Sequence, residues 1–198
     1  MIPELLLFQR EGKKNNRTKR LAIMDQDGAN LTFLTDAKSL VLAPRFSPDA
    51  RQILFTSYET GRPRVYLLNL VNKRVRTFPN LPGMTFAPRF APDGKSIILS
   101  MTSRGNTDIY IVNLMSNKQK RLTKNSAIDT APSFSPNGKS VVFESDRGGS
   151  QQIYVMSADG GSAKRISFGE GRYGTPVWSP RGDMIAFTKM HKGNFHIG

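Results

Sequence analysis

The heptapeptide Pro44-Arg45-Phe46-Ser47-Pro48-Asp49-Ala50 returns three times at a fixed interval of 44 residues. A chain that repeats itself at that pitch has few folds open to it. The copies are Pro88-Arg89-Phe90-Ala91-Pro92-Asp93-Gly94, Pro132-Ser133-Phe134-Ser135-Pro136-Asn137-Gly138 and Pro176-Val177-Trp178-Ser179-Pro180-Arg181-Gly182. A second anchor keeps the same step through Val65-Tyr66-Leu67, Ile109-Tyr110-Ile111 and Ile153-Tyr154-Val155. Leu21-Ala22-Ile23 stands one step earlier and Ile197 begins the next copy. Two anchors share one register without an insertion.

Each unit reads as four short strands. In Pro-Asp-Gly and its variants, Pro fixes φ at the start of a turn and Gly accepts the left-handed position. The runs that follow, Gln52–Thr56, Ser96–Ser100, Ser140–Glu144 and Met184–Thr188, are almost continuously apolar. Such runs suit strands covered on both faces. The Ile-Tyr-Val segment is the third strand, and short polar segments such as Lys120-Arg121-Leu122-Thr123 are the fourth. Four antiparallel strands in 40–45 residues is the size of a propeller blade. The sequence therefore predicts an all-β fold, a β-propeller of four-stranded blades with about four 44-residue repeats. The repeats run over 21–64, 65–108, 109–152 and 153–196, with another starting at 197, after a basic and partly flexible lead-in at 1–20.

The net charge is +14, which points to nucleic acid only where it is concentrated. Residues 1–20 carry +4 and the four repeats carry 0, +4, +3 and +3. Charge spread so evenly favours no nucleic-acid stripe. Lys73, Arg74, Arg76, Lys118, Lys120 and Arg121 fall on or beside fourth strands, where cations discourage edge-to-edge pairing. With no cysteine, thiol catalysis and thiolate metal sites are excluded. No apolar run approaches a membrane span, and Leu5-Leu6-Leu7-Phe8 lacks the basic start and cleavage site of a secretory signal. His191 and His196 are the only histidines, and Gly149-Ser150-Gln151 and Gly161-Ser162-Ala163 are not nucleophile elbows. Asp25-Gln26-Asp27-Gly28 opens like a calcium loop but lacks the later ligands, and its repeat position matches the turn Ser157-Ala158-Asp159-Gly160. No catalytic residue, metal or cofactor is expected.

The pattern Pro-x-Phe/Trp-Ser-Pro-Asp-Gly-Lys-x-Ile-x-Phe-x-Ser, followed by Ile-Tyr-Val-Met and Arg-Leu-Thr, resembles the WD40-like propeller repeat of the TolB family. Three longer strings sharpen this toward alphaproteobacterial members: Lys19 to Asn30, Phe143-Glu144-Ser145-Asp146-Arg147-Gly148-Gly149, and Thr175 to Asp183. The resemblance spans about Lys19 to Gly198. It implies a periplasmic component of the Tol-Pal cell-envelope system, supporting outer-membrane integrity and cell division. Such a protein binds the peptidoglycan-associated lipoprotein Pal on one face of a six-bladed ring, and a separate N-terminal α/β domain communicates with other Tol proteins. About four blades are expected here, so the ring is expected to be partial, and its exposed blade faces are open to two outcomes: closure on one another as a tight small ring, or self-association with a second chain. The rival functions are the accessory propeller of a prolyl-oligopeptidase-like serine peptidase and a basic nucleic-acid-binding propeller.

The resemblance places Pal contacts on segments that precede each repeat proline and read as loops. They comprise Leu42 and Ala43, then Met84, Thr85, Phe86 and Ala87, then Asp129 and Thr130, and finally Tyr173, Gly174 and Thr175. Scaffolds carry function on variable segments held by rigid elements, and these differ while their flanks repeat. Arg45 and Arg89 are channel-lining candidates, placed to attract an acidic partner or to pair with acids of a neighbouring blade.

Overall fold

Short apolar strands separated by tight turns within each repeat produce antiparallel sheets, and repetition at 44 residues stacks those sheets side by side. A computed structural model describes residues 5–11, 18–36 and 40–198. The described residues form five antiparallel sheets and no helix. The first has three strands, β1 (Leu5–Glu11), β2 (Thr18–Met24) and β3 (Thr32–Phe33). Three four-stranded blades follow. The second blade holds β4 (Val41–Phe46), β5 (Gln52–Ser57), β6 (Arg64–Asn69) and β7 (Val75–Thr77). The third holds β8 (Met84–Phe90), β9 (Ser96–Ser103), β10 (Asn106–Asn113) and β11 (Gln119–Arg121). The fourth holds β12 (Asp129–Phe134), β13 (Ser140–Ser145), β14 (Gln152–Ser157) and β15 (Lys164–Arg165). The fifth sheet is β16 (Arg172–Trp178), β17 (Ile185–His191) and β18 (Asn194–Ile197).

The propeller architecture is the one the repeat dictates, but the blades are offset from the sequence units. Each 44-residue unit opens on the third strand of one blade and closes on the second strand of the next, so four units become five sheets. Of the lead-in expected at 1–20, residues 5–11 and 18–20 are strand, β1 pairing with β2 from Leu5↔Met24 to Glu11↔Thr18. Residues 1–4 and 12–17 lie outside the described residues.

The core lies between blades. On β5, Ile53 and Phe55 join Leu21 of the first blade, while Leu54 packs with Ile97, Leu99 and Met101 of the third. On β13, Val141 and Phe143 meet Ile98 of the third blade, while Val142 meets Tyr173 of the fifth. Second strands are thus covered on both faces, which explains their continuous apolar runs. Phe55 stacks on Tyr66 at 5.5 Å and Phe143 on Tyr154 at 6.0 Å. Burial raises the phenol pKa of Tyr66 and Tyr110.

Polar motif residues close the turns. The Ser47 hydroxyl donates to Asp49 at 2.6 Å and accepts from the Gln52 amide, and Ser135 does the same with Asn137 and Ser140. The hydroxyl of the Arg-Leu-Thr element, Thr123 or Ser167, accepts from an amide of the third strand, that of Ile109 or Ile153. The second blade has no hydroxyl there, and Thr85 substitutes by accepting from Val65 at 2.9 Å. The fourth-strand cations reach across to the following blade. Arg76 donates to the Leu114 carbonyl and Lys120 to the Asp159 carbonyl.

One sequence expectation is corrected. The segments before each repeat proline are not loops; they open the innermost strands β4, β8, β12 and β16. Each strand then bulges, with register shifts between Leu42 and Arg45, Phe86 and Arg89, Thr130 and Ser133, and Gly174 and Val177. At the bulge Ala43, Ala87, Ala131 and Thr175 adopt φ of 52°, 50°, 50° and 49°. A left-handed residue ahead of proline resembles a chain break in sequence, yet the bulge absorbs it and the ladder resumes.

Candidate partner-binding face

Innermost strands pair on one side only, and successive ones pack side by side: β4 by β8, β8 by β12, β12 by β16. Their opening residues therefore share one end of the channel with the hairpins that join second to third strands. The pleat divides the predicted contact residues into two groups.

The buried group is structural. Asp129 is fully enclosed, accepting from the Arg147 guanidinium at 2.8 and 2.9 Å and from Asn125 at 3.0 Å. Arg147 also lies over the Phe143 and Tyr154 rings, so the Ser-Asp-Arg-Gly-Gly string is a packing device. Thr85 is buried on Val65, and buried Tyr173 donates its hydroxyl to the Phe168 carbonyl. The accessible group comprises Met84, 37% exposed, the exposed Thr175, and half-buried Leu42, Ala43, Phe86, Ala87, Thr130 and Gly174.

Met84 sits in a cleft of about 550 Å³ between the second and third blades, lined also by Arg62, Arg64, Gly83, Thr102 and Arg104. Arg64 donates to the Leu81 carbonyl at 2.7 Å, while Arg62 and Arg104 meet no carboxylate among the described residues. A cleft of one sign favours an acidic visitor.

Between the fourth and fifth blades, one residue missed from sequence organises the inner edge. Glu144 accepts from the Thr130 hydroxyl in its own blade and, at 2.9 Å, from the Thr175 amide of the next. Gly174 leaves the space this carboxylate fills, since a Cβ there would lie 2.4 Å from Glu144 Oε2. Ser100 holds the equivalent place one blade earlier and accepts from the Ala131 amide at 3.2 Å. The sequence column Thr56, Ser100, Glu144, Thr188 carried the signal, because its lone carboxylate is out of character there.

Arg45 and Arg89 lie further along the innermost strands. Their cross-strand partners are Leu54 and Ile98, so both project on the blade face that meets the following blade, at its inner edge. Arg45 donates to its neighbour's Pro44 carbonyl at 2.7 Å, and its buried Nε has no partner. No ion pair with an acid of a neighbouring blade forms at either residue among the described residues. Burial lowers the pKa of both guanidiniums, and burial with the Arg45 charge pushes Arg89 down to about 10. Both remain cations at neutral pH.

The sequence pattern of the TolB beta propeller domain matches residues 5–198. The chain is 60% identical over 82 residues to Tol-Pal system protein TolB of Paramagnetospirillum magneticum, covering 41% of this chain and 18% of that protein. It is 61% identical over 72 residues to the protein of the same name from Roseobacter denitrificans, covering 36% and 16%. The matched segments span less than a fifth of these curated relatives. Among solved structures, TolB from Acinetobacter baumannii superposes with a TM-score of 0.84 at 33% identity, covering 98% of this chain and 49% of that one. A puromycin hydrolase superposes with a TM-score of 0.76 at 16% identity, covering 98% and 33%, which is likeness of fold alone.

Proposed function

Because the chain belongs to the TolB β-propeller family, we propose that it is a non-catalytic, partner-binding propeller of the Tol-Pal envelope system, acting in the periplasm. Its partner in this proposal is a Pal-like peptidoglycan-associated lipoprotein, with other Tol proteins joining through the larger assembly. The observation that carries the proposal is identity near 60% to Tol-Pal system proteins over 82 and 72 residues. The form of the innermost strands supports this reading. The bulged innermost strands hold Met84, Phe86, Thr130 and Thr175 at the channel end, on a frame fixed by Thr85, Asp129 and Tyr173. Rigid strands present these side chains with little ordering to be done on binding.

Titration of a soluble Pal-type domain tests the proposal. Met84→Ala is expected to weaken binding about tenfold, as truncation of a central apolar anchor does. Met84 has no hydrogen-bonding role, so folding is preserved. A folded sample that ignores every Pal-type domain overturns the proposal.

A further inference from the structure

Arg45 and Arg89 form the one pair of neighbouring cations on the inner strands whose charge the described residues leave unanswered. The 44-residue register puts them at the same level of β4 and β8, and those strands pack side by side. Both are part-buried at the inner edge, Arg45 where the second blade meets the third and Arg89 where the third meets the fourth, and the buried Arg45 Nε finds no acceptor. The same position in the next two blades is Ser133 and Val177, so the charge is confined to one side of the channel. Elsewhere, Arg121 is matched with Asp108 at 2.7 Å and Arg147 with Asp129 at 2.8 Å, and part-buried Arg64 and Arg165 each donate to a backbone carbonyl of another segment or turn, Leu81 and Ser167. An unmatched desolvated cation opposes folding, and two together add mutual repulsion. An arrangement of that kind is retained for a ligand that brings the missing negative charge.

We propose that Arg45 and Arg89 form a receptor for one carboxylate, carried by an acidic side chain on an extended protein segment that enters the channel. Guanidinium forks match a carboxylate in planar, paired hydrogen bonds, and a low-dielectric seam strengthens them. The segment arrives from the end where Arg62 and Arg104 border the Met84 cleft, so its approach is through positive potential. This deepens the partner-binding proposal and rests on it only for which macromolecule carries the carboxylate.

The test follows the arginine Nε–H resonances of the 198-residue chain by NMR while a capped Gly-Ser-Glu-Gly-Ser peptide is added. Saturable shifts at Arg45 and Arg89 are expected with this peptide and not with its Gln counterpart, and Arg89→Gln is expected to abolish the saturable shift at Arg45. Inorganic phosphate is the second arm. Shifts as strong with phosphate as with the peptide overturn the carboxylate assignment in favour of a free-anion site, and no saturable shift with either overturns the receptor. Thermal unfolding adds an independent readout. Arg89→Met is expected to raise Tm because an uncompensated charge is removed, whereas a fall in Tm exposes a structural pairing and overturns the proposal. A Pal-type domain that binds equally well to Arg45→Met and Arg89→Met overturns this inference and leaves the partner-binding function standing. A Glu peptide that titrates while no Pal-type domain binds does the reverse.

Discussion

Glu144 shows how a single side chain can join two repeats at the candidate site. Its carboxylate ties the Thr130 hydroxyl of one innermost strand to the Thr175 amide of the next, and Gly174 exists to leave it room. The glycine is needed for space here and not for backbone freedom, since it is absent from the residues with positive φ. Gly174→Ala drives a methyl against the carboxylate and is expected to destabilise the fold by about 1–3 kcal/mol, as overpacking does. Glu144→Ala leaves the Thr175 amide and the Thr130 hydroxyl without their acceptor, with a loss of similar size, about 1–3 kcal/mol. Because the two residues touch, the double variant Glu144→Ala/Gly174→Ala should destabilise by less than the sum of the singles. Urea unfolding of the three variants measures this, and strict additivity would show that the pair does not interact.

At the scale of the strand, the recurring feature is the bulge. Ala43, Ala87, Ala131 and Thr175 all take left-handed backbone, a conformation that disfavours a side chain by roughly 1–2 kcal/mol. Replacing Ala131 by Gly relieves that strain and gives back part of it as unfolded-chain entropy, so Ala131→Gly is expected to raise stability by up to about 1 kcal/mol. Denaturant midpoints check it, and destabilisation would mean that the Ala131 methyl has a packing role outweighing the strain. The bulge also marks where the sequence stopped being legible. The propeller class, the turn motifs and the doubly covered second strands all follow from spacing and polarity, which local physics sets. Val41–Ala43 and Met84–Ala87 read as loops because alanine before proline carries no strand signal; only pairing with β5 and β9 makes Val41, Leu42, Met84, Thr85 and Phe86 extended. In the same way, the division of the candidate face into buried Thr85, Asp129 and Tyr173 and accessible Met84 and Thr175 depends on pleat phase and on partners in other blades. That Pro79 stands in the second blade where Thr123 and Ser167 carry a hydroxyl was visible, yet nothing local says that Thr85 replaces it.

Across the whole molecule, the +14 charge is distributed by role. Outer-edge cations such as Arg76 and Lys120 bond to carbonyls of the following blade, and Arg121 and Arg147 are matched by acids. Arg62 and Arg104 instead border an open cleft beside Met84 with no carboxylate in reach among the described residues. Charges close to a docking site steer association strongly, while those more than a Debye length away, about 10 Å at 0.1 M salt, are largely screened. Position should therefore matter more than net charge. Reversing Arg62 and Arg104 to Glu is expected to slow association with an acidic partner about tenfold or more at low ionic strength. Reversing the exposed outer-edge residues Lys73 and Lys118, which changes net charge by the same amount, should leave the rate within about twofold at 0.1 M salt. Stopped-flow association rates with an acidic peptide, measured across a salt series, separate the two cases. Equal slowing by both double variants would mean that the charge acts as a diffuse field, and the cleft would lose its claim to be the point of arrival.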